Sequence, residues 1–104
     1  MVTTNTNTVN ITTAATSQFM VPNPLNFDTT PQLYERGCQI IDKNPQPIFD
    51  MQQVTESDNS GLALMTSWVS YAKKYGKNVQ FINMTPKLLE IAKISNLQDI
   101  LPIL

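Results

Sequence analysis

The feature that most constrains this chain is its apolar period, which switches between helical and extended spacing with a strong breaker at each switch. Thr30-Pro31 opens a helix, because threonine is a good N-cap and proline is tolerated at the first helical position. Leu33, Tyr34, Cys38 and Ile41 then recur at helical spacing, which predicts a helix running to about Asp42. Asn44-Pro45-Gln46-Pro47 is a turn, and residues 48–54 form a short run between breakers that reads as a strand. Glu56-Ser57-Asp58 leads into the longest helix, residues 59–75, with Ser57 or Asp58 available as its cap. Gly76 closes that helix where a left-handed residue is wanted. Residues 78–84 alternate Val79, Phe81 and an outlying Met84 with polar residues, predicting a strand. Thr85-Pro86 repeats the cap-plus-proline start, with Leu88, Ile91, Ala92 and Ser95 on the inner face of a last helix. Residues 97–104 form a short apolar tail expected to dock on the core.

Upstream, residues 1–8 are rich in Thr and Asn and read as a loose tail. Residues 9–16 are rich in β-branched side chains and predict a first strand, and residues 18–21 a second. Pro22 and Pro24 then stop regular pairing. The order β-β-α-β-α-β-α predicts one α/β domain over residues 9–104, with a small mixed sheet covered by helices. A chain of 104 residues suits a single domain.

Composition narrows the chemistry. At 41% hydrophobic and 14% charged the chain is a folded domain rather than a disordered one. A net charge of −1 gives no global attraction to nucleic acid or anionic lipid. Lys73, Lys74 and Lys77 cluster at a helix end, where they complement the dipole. The absence of histidine excludes His-based triads, His metal sites and His acid–base work, so no metal or cofactor is expected. Cys38 is the sole cysteine; it cannot form an internal disulfide and reads as a small buried hydrophobe. Glu56 and Asp58 are near neighbours, but without a His, Lys or metal partner a solvated loop with a helix cap explains them better than acid–base catalysis. Three glycines cannot build a phosphate loop, and Ser60-Gly61 is not a nucleophile elbow. No apolar run is long enough to span a membrane and no secretory signal is evident, so a cytoplasmic location without membrane insertion is expected.

The helix over 59–75 divides into two halves. Leu62, Leu64, Met65, Trp68, Val69, Tyr71, Ala72 and Tyr75 fall on a core half. Asn59, Ala63, Thr66, Ser67 and Ser70 form a stripe on the other. An exposed helix face is usually filled with Lys, Glu, Gln or Arg, which favour helix and hydrate strongly. A small, uncharged stripe either docks a partner, whose backbone it lets approach closely, or is a plain solvated face with poor propensity. Composition alone leaves both open.

Ile48-Phe49-Asp50-Met51-Gln52-Gln53-Val54, followed by Asp58-Asn59-Ser60-Gly61-Leu62-Ala63-Leu64, resembles the strand, loop and long helix at the core of the STAS domain family. Ala72-Lys73-Lys74-Tyr75-Gly76-Lys77-Asn78-Val79 is similar to that family's helix end and next strand. Leu88-Leu89-Glu90-Ile91-Ala92-Lys93-Ile94-Ser95-Asn96-Leu97, with Ile100-Leu101-Pro102, resembles the STAS subunits of bacterial Mla phospholipid-transport complexes. Leu25-Asn26-Phe27-Asp28-Thr29-Thr30-Pro31 fits the entry to the family's first helix.

The resemblance implies a mixed sheet with helices mainly on one face and a non-catalytic subunit. Such a subunit sits on the cytoplasmic ATPase of an ABC transporter and supports its assembly and activity. By position, the implied contact residues are Asn59, Ser60, Ala63, Thr66, Ser67 and Ser70. Periodicity selects five of the same residues, which favours the docking face over the solvated one. The alternative is an anti-sigma factor antagonist that binds a serine kinase, and a third reading is a STAS module with some other partner. In phosphorylation-switched members a Ser or Thr follows the loop aspartate; here Asn59 stands there and takes no phosphate. Ser57 and Ser60 remain as substitute acceptors.

Overall fold

The computed structural model describes residues 18–104. Its elements run β1 (Gln18–Met20), α1 (Thr30–Lys43), β2 (Ile48–Asp50), α2 (Asn59–Lys74), β3 (Gln80–Ile82) and α3 (Pro86–Ile94). The sheet order is β1-β2-β3, and both pairings are parallel. Parallel neighbours need a long crossover, which α1 and α2 supply. The tail expected at residues 1–8 and the strand expected at 9–16 lie outside the described residues. Among the described residues the three strands pair in parallel, in a mixed α/β arrangement with three helices.

Register explains the core. Phe19 pairs with Phe49, and Phe49 with Phe81, so three rings stand in one row across the sheet. Neighbouring centroids in that row are 5.9 and 5.7 Å apart. Trp68 descends from α2 onto the row, with its ring 4.4 Å from Phe49 and 6.5 Å from Phe81. It is fully buried, as are Met51, Val54, Met65, Leu88 and Ala92. The strands are shorter than the apolar runs at 48–54 and 78–84 predict. Backbone pairing beyond Asp50 and Ile82 gives way to turns, although Met51, Val54 and Val79 stay in the core.

Helix ends follow local chemistry, with one shift at the start of α1. Asp58 caps α2, its side chain accepting from the Ser60 N–H at 2.8 Å. Beyond Tyr75, Gly76 takes φ +72°, while the Lys77 N–H reaches the Ala72 carbonyl at 2.8 Å and the Gly76 N–H the Lys73 carbonyl at 3.1 Å, which is a Schellman ending. Thr85 caps α3 as expected, accepting from the Leu88 N–H at 3.4 Å. At α1, by contrast, Thr30 is already helical and Thr29 is the cap residue, its hydroxyl turned to the Pro24 carbonyl at 2.9 Å.

Some assignments to the core fail at the edges. Tyr75 follows the last helical residue and is 54% exposed, because the backbone leaves the helix before its ring can turn inward. Ser95, past the end of α3, is exposed for the same reason. Cys38 is half-buried rather than buried. Lys77 does not serve the dipole of its own helix: its ammonium donates to the Ile41 and Asp42 carbonyls at 2.6 and 2.9 Å, closing the end of α1. The tail docks as predicted, with Leu101 buried and Ile103 bridging to Phe81 beside β3.

Candidate functional site

Two loops set the geometry at the start of α2. Leu25 bridges Ser57 through Leu25 N–H to Glu56 carbonyl (3.0 Å) and Asp58 N–H to Leu25 carbonyl (3.1 Å). The Asn23 side-chain oxygen accepts from the Thr55 and Glu56 N–H groups at 3.0 and 2.8 Å. The loop entering α1 is thereby tied to the loop entering α2. Within it, the Asn26 side-chain oxygen accepts from the Asp28 and Thr29 N–H groups at 2.9 and 3.1 Å, forming an Asx turn. Phe27 sits on that turn with 82% of its surface exposed.

Phe27 opens a groove of about 460 Å³ between α1 and α2. Phe27, Pro31 and Tyr34, spaced at i, i+4 and i+7, line its α1 side. Ser60, Ala63 and Ser67 line its α2 side, and the buried Leu64 forms part of the floor. Beyond it, the Tyr34 and Tyr71 rings meet edge to face at 6.4 Å. The Tyr71 hydroxyl donates to Asp42 at 2.8 Å, an arrangement that pushes the phenol up to about 12. A second groove of about 490 Å³ lies on the other side of α1, among Pro22, Gln32 and Arg36, and none of the six sequence-predicted contact residues lines it.

The structure brings three of the six contact residues, Ser60, Ala63 and Ser67, into the groove. Asn59 and Ser70 are exposed on α2 beside it, and Thr66 is half-buried with its hydroxyl donating to the Leu62 carbonyl at 2.9 Å. The two candidate acceptor hydroxyls are engaged locally. Ser57 donates to the Asp58 carbonyl at 2.8 Å, and Ser60 donates to the Asp58 carboxylate. Those contacts hold the Asp58 carboxyl below the usual carboxylate range, as suits the cap of α2. The place of Phe27, Pro31 and Tyr34 on the groove escaped the sequence reading. Pro31 and Tyr34 are three residues apart on α1, but only the folded contact places them and the turn residue Phe27 opposite the small residues of α2.

A family model described as "Mlab, STAS domain" matches residues 21–102. The chain belongs to the STAS domain family. It is 39% identical over 55 residues to the intermembrane phospholipid transport system binding protein MlaB of Escherichia coli (strain K12), a match covering 52% of this chain and 57% of that protein. The protein of the same name from Shigella flexneri matches to the same extent. The chain thus spans little more than half the length of the curated relatives it matches. Among solved structures, the unphosphorylated anti-sigma factor antagonist SpoIIAA superposes with a TM-score of 0.69 over 84% of this chain and 76% of that one. At 13% identity, that likeness establishes the STAS architecture alone. No described helix is long and apolar enough to cross a membrane.

Proposed function

We propose that this chain is a non-catalytic STAS subunit that docks on the cytoplasmic ATPase of an Mla-type phospholipid-transport ABC transporter. There it supports assembly and activity of the complex and so helps maintain outer-membrane lipid asymmetry. It is peripheral to the inner membrane through that partner. The observation that carries this reading is the α1–α2 groove: an exposed aromatic on a hydrogen-bonded turn faces small α2 side chains that let another chain approach closely. An ordered, exposed aromatic loses little further entropy on binding, which suits an anchor for a partner. The 39% identity to MlaB supports the choice of partner.

Asn59 weighs against a kinase-controlled antagonist, since it carries no hydroxyl at the position where switched members are modified. Affinity purification of the tagged chain from its native cell, with identification of what co-purifies, tests the proposal. Recovery of an ABC ATPase with its permease is expected. Recovery of a serine kinase, with Ser57 or Ser60 phosphorylated, would transfer the protein to signalling.

A further inference from the structure

The groove is apolar along its walls, yet one charged residue, Glu35, stands on its rim. Glu35 is exposed, and its helical neighbours at i±3 and i±4 are Gln32, Pro31, Cys38 and Gln39, none of them cationic. The adjacent Arg36 holds its guanidinium 5.7 Å above the Phe19 ring and lines the groove on the other side of α1, which Glu35 also borders, but not this one. Asp28 belongs to the groove on the other side of α1, together with Arg36, and does not line this one. The cations of α2, Lys73 and Lys74, lie in its last turn, away from this end. The apolar groove therefore carries one exposed carboxylate, Glu35, on its rim.

We propose that the groove selects a partner segment of defined chemistry: a large apolar side chain seated between Phe27 and Ala63, flanked by a Lys or Arg that meets Glu35. This rests on the docking reading above and adds what the partner must present. The apolar insertion supplies affinity, as buried aromatic anchors do at interfaces. The rim carboxylate of Glu35 steers the approach and disfavours segments with an acidic flank, since rim charges act mainly on association rate and its salt dependence.

The test is titration of the full chain with the purified ATPase subunit of the phospholipid transporter from the same cell, at about 50 mM and about 500 mM salt to vary screening. Phe27→Ala should weaken binding by about tenfold or more. Glu35→Lys should slow association by about tenfold and flatten the salt dependence, with Glu35→Gln intermediate. Glu90→Lys, on α3 and outside the groove, is the control and should bind as wild type. Circular dichroism should show every variant folded, because Phe27, Glu35 and Glu90 are all exposed. If wild type binds and Glu35→Lys associates equally fast, the charge pairing is overturned while docking stands. If Phe27→Ala alone is without effect, the apolar anchor is overturned. If wild type does not bind the ATPase, or only self-associates, the docking reading falls and this inference with it.

Discussion

Trp68 lies so close against Gly37 that a β-carbon on Gly37 would overlap the indole Nε1 and Cε2 atoms, while the indole N–H donates to the Tyr34 carbonyl at 3.2 Å. This contact sets the approach of α1 to α2 beneath the groove. Alanine at an exposed helix position is more favourable than glycine by about 1 kcal/mol, so the sign of Gly37→Ala separates propensity from packing. The buried indole has no free space to give, and overpacking should win, with a net loss of about 1–3 kcal/mol in urea unfolding. The displaced α1 should also weaken partner binding.

Lys77 links the end of α1 to the turn after α2 through two carbonyls, at 2.6 and 2.9 Å. Lys77→Met keeps the aliphatic stem and removes the donors. A loss of about 1–2 kcal/mol is expected in the same unfolding assay, because the α1 carbonyls lose a charged partner. Lys77→Arg should retain part of it.

Tyr71 gives a titration signature. Its hydroxyl donates to Asp42, and the phenol is raised from 10.0 to about 12. The folded chain therefore holds this proton more tightly than the unfolded chain. The stability it contributes is complete below pH 10.0 and is lost as pH rises through about 12. Phenolate absorbance, followed in a background with Tyr34→Phe and Tyr75→Phe, should show the raised midpoint. Asp42→Asn should bring it down toward the ordinary value.

Asp58 behaves in the opposite sense. The Ser60 hydroxyl and N–H stabilise its carboxylate and lower its proton affinity in the folded state. Its contribution is present above about pH 4, the ordinary aspartate value, and is lost as pH falls through the lower folded value. Asp58→Asn keeps a capping oxygen but should flatten the acid side of a melting-temperature profile, whereas Asp58→Ala should lower melting at neutral pH as well.

Local chemistry made much of this molecule legible. Breakers and caps placed α1, α2 and α3 within a residue or two, and helical spacing put Leu62, Leu64, Met65, Trp68 and Ala72 in the core. The small-residue stripe was legible too, though only part of it faces the groove. What the residues did not announce depends on contacts distant in sequence. Gly37 has no local reason to be glycine until Trp68 lies on it. Lys77 looks like an ordinary helix-end cation until α1 is seen to end beside it. Phe27 lies before the α1 helix, and nothing along the chain says that its ring stays in solvent; the Asx turn and the Asn23 bonds to a loop 32 and 33 residues away keep it there.

The measurement that bears most directly on the central claim is calorimetric titration of the purified transporter ATPase with wild type and with Ser67→Arg. Ser67 is exposed on the groove, whereas the Thr66 hydroxyl is already committed to its own helix, so Ser67 is the cleaner site. Docking through this groove predicts that wild type binds and that Ser67→Arg, with unchanged melting, does not. Ser67→Arg binding with the affinity of wild type would contradict it.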